Sequence, residues 1–117
     1  MTDPTPRDDE ALRRLEEIPR AGFAVIPTPL LEARNLGRRF APDGPPVLLK
    51  MDAWTGAGLG GNKVRKLEYV LAPERREGVE VLITSGSAQS NHARVTASVA
   101  ARLGLRCILV LSGDPGD

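Results

Sequence analysis

The sequence predicts an α/β fold, an open, parallel, twisted sheet with flanking helices, and three observations carry that expectation. Apolar runs of strand length recur along the chain: VLLKM (47–51), VEVLITS (79–85) and LRCILVL (105–111). Segments with helical apolar spacing, about 62–74 and 90–103, lie between them. Each of those helices opens out of a loop rich in Gly, Ser or Asn, and Gly78 and Gly104 punctuate their ends. Near-continuous apolar strands alternating with helices read as a parallel sheet covered on both faces, joined by right-handed crossovers.

Taken in order, residues 1–7 carry two prolines and no apolar pattern, which predicts a flexible tail. DDEALRRLEEI (8–18) spaces Leu12, Leu15 and Ile18 along one helical stripe, with acids at its start. PRAGFAVIPTPLLEARNLGRRF (19–40) joins a proline-punctuated extended segment to a short helix from about Leu31 to Phe40. APDGPP is a turn, and Pro45-Pro46 can only begin the strand that follows. In the helix from Asn62, the residues Val64, Leu67 and Leu71 form the core-facing stripe. The helix over 90–103 should stop at Gly104 in a left-handed cap. This divides the chain into a segment 1–46 and a βαβαβ segment 47–117. GDPGD follows the third strand directly, so the expectation is the front part of a longer protein.

Composition narrows the function classes. Hydrophobic residues at 41% and charged residues at 26% suit an ordinary globular domain, and 3% aromatics imply an aliphatic core. A net charge of +1 with scattered basic residues gives no nucleic-acid face, and stacking platforms are absent. The longest apolar runs are too short to span a bilayer, and MTDPTPRDDE is unlike a signal peptide. The single cysteine, Cys107, sits in an apolar strand and reads as a small buried hydrophobe, with a reducing cytoplasm as the default setting. His92 is the only histidine, so no multi-histidine metal site is expected.

In a parallel sheet, ligands bind beyond the carboxyl ends of the strands. Two loops belong there: DAWTGAGLGGNK (52–63) and GSAQSNH (86–92). Both run into helix starts, whose free N–H groups attract anions. Gly56, Gly58 and Gly61 spell G-x-G-x-x-G, yet the second strand ends Ile83-Thr84-Ser85 without the acid a dinucleotide site needs. A phosphate-binding P-loop fails as well, because Asn62 follows Gly61. Lys63 stands where helix energetics favour a cap residue or an acid, a place that suits an amine needed as a nucleophile toward an aldehyde. Lys66 follows at i+3 on the same face, within reach of a phosphate. Each residue also has a plainer reading. Lys63 and Lys66 could be solvated lysines, Ser90 an N-cap, His92 a surface histidine, and Arg65 solvated or paired with Glu68.

Together, GLGGNKVRKLEYVL, ITSGSAQSNHARVTASVAARLGL and the upstream IPTPL (26–30) resemble the pyridoxal-phosphate-dependent 1-aminocyclopropane-1-carboxylate deaminase and D-cysteine desulfhydrase family. The resemblance covers about residues 26–111. It implies the tryptophan-synthase-β-like fold, fold type II, with 1–46 part of the larger domain. It implies that Lys63 carries pyridoxal 5′-phosphate covalently and moves protons. By the same resemblance Asn91 bonds the cofactor's 3′ oxygen, and Lys66 contacts its phosphate. Ser90 binds the substrate carboxylate or handles a proton, and the backbone N–H groups of Asn91 and His92 help to hold that carboxylate. The implied reaction turns a small amino acid into a 2-oxo acid and ammonia in a cytoplasmic homo-oligomer. Ser-Asn-His at 90–92 favours D-cysteine, which also yields sulfide, over the cyclopropane acid. The chain departs from the family's K-R-D-D-L-T-G at Met51 and Ala53. The family's glycine-rich phosphate loop has no counterpart in it, so the 117-residue chain alone is expected to be inactive. The rival reading is a non-catalytic remnant or binding domain, with a nicotinamide-binding domain more distant.

Overall fold

The computed structural model describes residues 6–76 and 78–113, so most of the expected tail at 1–7 and the last four residues lie outside the described part. Helix α1 (Pro6–Glu17) opens on a proline, whose fixed φ suits a first helical position. Its stripe of Leu12, Leu15 and Ile18 stays about half exposed. An extended segment follows, with a cis bond between Ile26 and Pro27. It leads into β1 (Leu30–Glu32), α2 (Arg34–Phe40) and β2 (Leu48–Lys50). A single 3-10 turn, Asp52–Trp54, and the glycine loop then lead to α3 (Asn62–Arg76). The last three elements are β3 (Val81–Ser87), α4 (Asn91–Leu103) and β4 (Arg106–Ser112).

Parallel pairing is found where α4 links two strands. β3 and β4 run side by side in parallel, from Val81 opposite Arg106 to Ser87 opposite Ser112. The expectation of a third strand in that sheet is corrected. β2 instead pairs antiparallel with β1, Leu30 opposite Lys50 and Glu32 opposite Leu48. Leu31 and Glu32, expected to start a helix, are drawn with Leu30 into the extended state by that partner, and helix begins only at Arg34. Pairing β1 with β2 joins the two segments that a boundary at 46/47 would separate.

The core lies between α3, α4 and one face of the β3–β4 sheet. Val64, Leu67 and Leu71 of α3 are 0–4% exposed, as their 3.6-residue spacing requires, and Val95, Val99 and Ala100 of α4 are fully buried. Leu82 of β3 and Phe23 of the extended segment complete the cluster. Burying each large aliphatic or aromatic side chain contributes roughly 1.5–3 kcal/mol, so this small cluster is the main source of stability. Cys107 packs at its edge, half-buried and unpaired. The second expectation to be corrected is cover on both faces. Ile83, Ile108 and Val110 stand on the opposite face of the sheet and are 46–69% exposed, so that face is not covered as the other is.

Local signals set the helix ends. Ser90 is the N-cap of α4, its Oγ accepting the Ala93 N–H at 3.2 Å. Gly104 closes α4 at φ 71°, in the left-handed conformation expected of it, and its N–H reaches the Ala100 and Ala101 carbonyls.

Candidate active site

The glycine loop before Lys63 is a built turn. Thr55, fully buried, donates its hydroxyl to the Asp52 carbonyl at 2.8 Å, and its Oγ1 accepts the Gly61 N–H at 3.1 Å. The Gly61 N–H also reaches the Asp52 carbonyl at 2.7 Å. Gly60 has φ 74°, and a Cβ there would lie 1.9 Å from the Ala53 carbonyl oxygen, so only glycine closes this loop. Leu59, at φ 65° and 90% exposed, is held in the left-handed region at the tip.

Lys63 is the second residue of α3, half-buried, with no hydrogen-bond or ion-pair partner among the described residues. Lys66, one turn further, is exposed and equally without a partner. Lys66 and His92 line one cleft between α3, β3 and α4, with Thr84 and Thr96 beside them. The cleft measures about 170 Å³, below the roughly 300–1,000 Å³ of pockets that enclose a whole cofactor. Thr96 Oγ1 is buried there without a partner among the described residues.

At the start of α4, Ser90 fulfils the capping reading, and its hydroxyl proton remains available while the oxygen accepts from Ala93. Asn91 accepts a hydrogen bond from Arg94 Nη2 on its Oδ1 at 3.0 Å, so its amide NH2 is left as a donor. Arg94 Nη1 is buried with no partner among the described residues. Gly86, four residues before Ser90, leaves no space for a side chain: a Cβ there would lie 2.6 Å from Ser90 Oγ. Lys63, Ser90, Asn91 and Arg94 are not among the residues that line the Lys66–His92 cleft; by type, the Lys63 amine, the Asn91 amide donor and the unpartnered Arg94 nitrogen, beside two helix starts, are donors that suit a phosphorylated aldehyde. The residues present therefore fit pyridoxal phosphate, with the Lys66–His92 cleft large enough for one end of it only.

Two charged networks behind the loop were not legible in the sequence. Arg65 does not pair with Glu68. Its Nε and Nη2 reach Asp52 Oδ1 at 2.9 and 2.7 Å, and Nη2 also donates to Thr28 Oγ1 at 2.7 Å. The hydrogen bond from Arg65 holds the Asp52 carboxyl below its ordinary value of 3.8 against the opposing effect of desolvation, and Asp52 in turn raises Arg65. Glu68, 3% exposed, has turned to the extended segment instead. Its carboxylate accepts the N–H groups of Gly22, Phe23 and Ala24 at 2.9, 2.6 and 2.5 Å. An i,i+3 spacing on one helix suggested a local ion pair; both side chains have stronger partners far along the chain.

Comparisons with known proteins agree with this geometry. The family model for pyridoxal-phosphate-dependent enzymes matches residues 22–115. D-cysteine desulfhydrase of Salmonella typhimurium is 44% identical over 105 residues, which is 90% of this chain and 31% of that protein. The Klebsiella pneumoniae enzyme of the same name is 42% identical over 106 residues, 91% of this chain and 31% of its own. A solved structure described as an ACC deaminase homologue superposes with a TM-score of 0.78 at 43% identity, covering 88% of this chain and 31% of the other. The chain thus spans about a third of the length of the relatives it matches. No helix among the described residues is long and apolar enough to cross a membrane. With a family model running through both glycine-bearing loops and both helix starts, this chain belongs to the pyridoxal-phosphate-dependent enzymes.

Proposed function

We propose that this chain supplies the cofactor-anchoring part of a pyridoxal-phosphate-dependent lyase that converts a small amino acid into a 2-oxo acid and ammonia. D-cysteine is the favoured substrate; with one water it gives pyruvate, ammonia and sulfide. The observation that carries this reading is the unpartnered Lys63 amine at the start of α3, in a chain 44% identical to a D-cysteine desulfhydrase. His92 in the Ser-Asn-His run of 90–92 supports D-cysteine over the cyclopropane acid. The likeness to an ACC deaminase homologue keeps that acid as the second substrate to test.

When bound, pyridoxal phosphate supplies the electron sink for breaking bonds at the substrate's α carbon. Lys63 is the residue to attach it and then to carry a proton on its Nζ. The Asn91 amide donates to the ring oxygen, and Lys66 offers a cation to the phosphate. Ser90 donates its hydroxyl proton to the substrate carboxylate, which the start of α4 favours electrostatically. The backbone N–H groups of Asn91 and His92, in the first turn of α4, would join Ser90 on that carboxylate. The reading extends to a cytoplasmic homo-oligomer, which the lone unpaired Cys107 and the exposed apolar sheet face suit.

The test replaces the matching third of the Salmonella enzyme with this chain. The graft should turn yellow with pyridoxal phosphate, show a covalent mass on Lys63 after borohydride, and release pyruvate and sulfide from D-cysteine. Lys63→Ala should abolish the trapped mass. A colourless graft would favour a non-catalytic remnant, and oxobutyrate from the cyclopropane acid alone would transfer the substrate assignment.

A further inference from the structure

Lys63 is held from both sides by one aspartate. Two residues before it, Gly61 donates its N–H to the Asp52 carbonyl at 2.7 Å and to Thr55 Oγ1 at 3.1 Å. Two residues after it, Arg65 grips the Asp52 carboxylate through Nε and Nη2 at 2.9 and 2.7 Å. The same Nη2 donates at 2.7 Å to Thr28 Oγ1, in the extended segment that enters β1. Thr28 and Thr55 are 4% and 0% exposed, so the backbone before the lysine and the side chain after it are anchored in the interior. Lys50 adds its Nζ to the Thr28 carbonyl, and Met51 donates its N–H to the Pro29 carbonyl at 3.0 Å, tying the strand that delivers Asp52 to the same segment.

We propose that Asp52 and Arg65 are positioning residues for Lys63, which fix the direction in which its amine leaves the helix start. The proposal rests on the reading that Lys63 attaches pyridoxal phosphate. Both side chains of the pair are about one-third exposed, a setting in which an ion pair adds little to global stability. What the pair does control is geometry. Gly61, at φ 110° with no atom within 4 Å of its missing side chain, has open space and wide conformational freedom. Without the Asp52 and Thr55 anchors the turn carrying Lys63 could adopt many orientations, few of which bring the amine to an aldehyde. Arg65 adds a second fixed point on the first helical turn. Its forked guanidinium sets an angle that a lysine ammonium cannot set.

The experiment uses the graft with pyridoxal phosphate, comparing wild type with Asp52→Asn, Arg65→Lys, Arg65→Met and the double variant Asp52→Asn/Arg65→Met. The rate of borohydride-trapped mass on Lys63 is read beside the near-ultraviolet and visible absorbance and the urea midpoint. Loss of positioning predicts trapping about ten- to a hundredfold slower in each single variant, the range expected when a reacting group is misplaced by about an ångström. The double variant should be no slower than the slower single. The urea midpoint should change little. Arg65→Lys should behave like Arg65→Met in trapping, because charge without the fork does not restore the angle. Folded variants that trap at the wild-type rate would overturn the proposal. So would loss of the fold in Asp52→Asn and Arg65→Lys together, which would assign the pair to stability. A wild-type graft that takes up no cofactor on Lys63 would sink the underlying reading instead, and the proposal with it.

Discussion

Glu68 offers the sharpest test of how the extended segment is held against the core. Its carboxylate is 3% exposed and accepts three successive backbone N–H groups, those of Gly22, Phe23 and Ala24. Glu68→Ala removes all three at once. Gly22 is exposed and Ala24 half-buried, so water replaces the carboxylate there in large part. Phe23 is 2% exposed, and its N–H would be stranded. A stranded buried donor costs about 1–3 kcal/mol, and lost hydrogen bonds to a charged acceptor add to it. The expected total is about 3 kcal/mol. Glu68→Gln keeps one oxygen for Phe23 and Ala24 and should cost about 1 kcal/mol. Urea unfolding of the graft should show the loss as a midpoint lowered by about 1–3 M, for slopes of about 1–3 kcal/mol per molar. Hydrogen exchange should show the Phe23 and Ala24 amides losing protection in Glu68→Ala. An alanine variant within about 0.5 kcal/mol of wild type, with those amides still protected, would refute the reasoning.

Gly60→Ala would place a methyl 1.9 Å from the Ala53 carbonyl oxygen at a φ of 74°; the loop must rearrange, and borohydride trapping on Lys63 should fall at least tenfold. Ser90→Ala removes the cap that accepts the Ala93 N–H and should cost about 1 kcal/mol of stability in urea. The Asp52 carboxyl is depressed in the folded state by its bond to Arg65. Its contribution is therefore present above the unfolded value and lost as pH falls through the lower folded one. Acid titrations of wild type and Asp52→Asn should show only a small stability difference at neutral pH, one that begins to shrink as pH falls below about 3.8 and vanishes below the lower folded value.

What the sequence made legible was set by neighbours within a few residues. The Val64–Leu67–Leu71 stripe, the Ser90 cap and the Gly104 stop all follow from helical spacing and local hydrogen bonding, and each stands where it was expected. The two helix starts that frame the candidate site were legible for the same reason. Strand pairing is non-local, so nothing in VLLKM said that its partner was Leu30–Glu32 rather than the strand at 81–87. The partners of Arg65 and Glu68 on α3 escaped notice for a related reason. Arg65 finds Asp52 thirteen residues earlier, across a glycine loop, and Glu68 finds amides more than forty residues away. Neither distance leaves a periodic trace. The roles given to Lys63, Ser90 and Asn91 came from the resemblance, since loops of glycine and serine have no period of their own.

The contact between Gly86 and Ser90 carries a consequence for anyone diversifying this chain. A methyl at 86 would displace the Ser90 hydroxyl, 2.6 Å away, and with it both a helix cap and the group assigned to the substrate carboxylate. Libraries that randomise one of these positions alone will therefore be dominated by sequences that fail at the other. A methyl at 86 would also lie 2.7 Å from the Ser90 Cβ, so the two are best varied as a linked pair, with glycine admitted at 90 whenever 86 gains a side chain. That pairing exchanges the hydroxyl for apolar volume at one fixed spot, which on the proposed role of Ser90 would alter substrate choice.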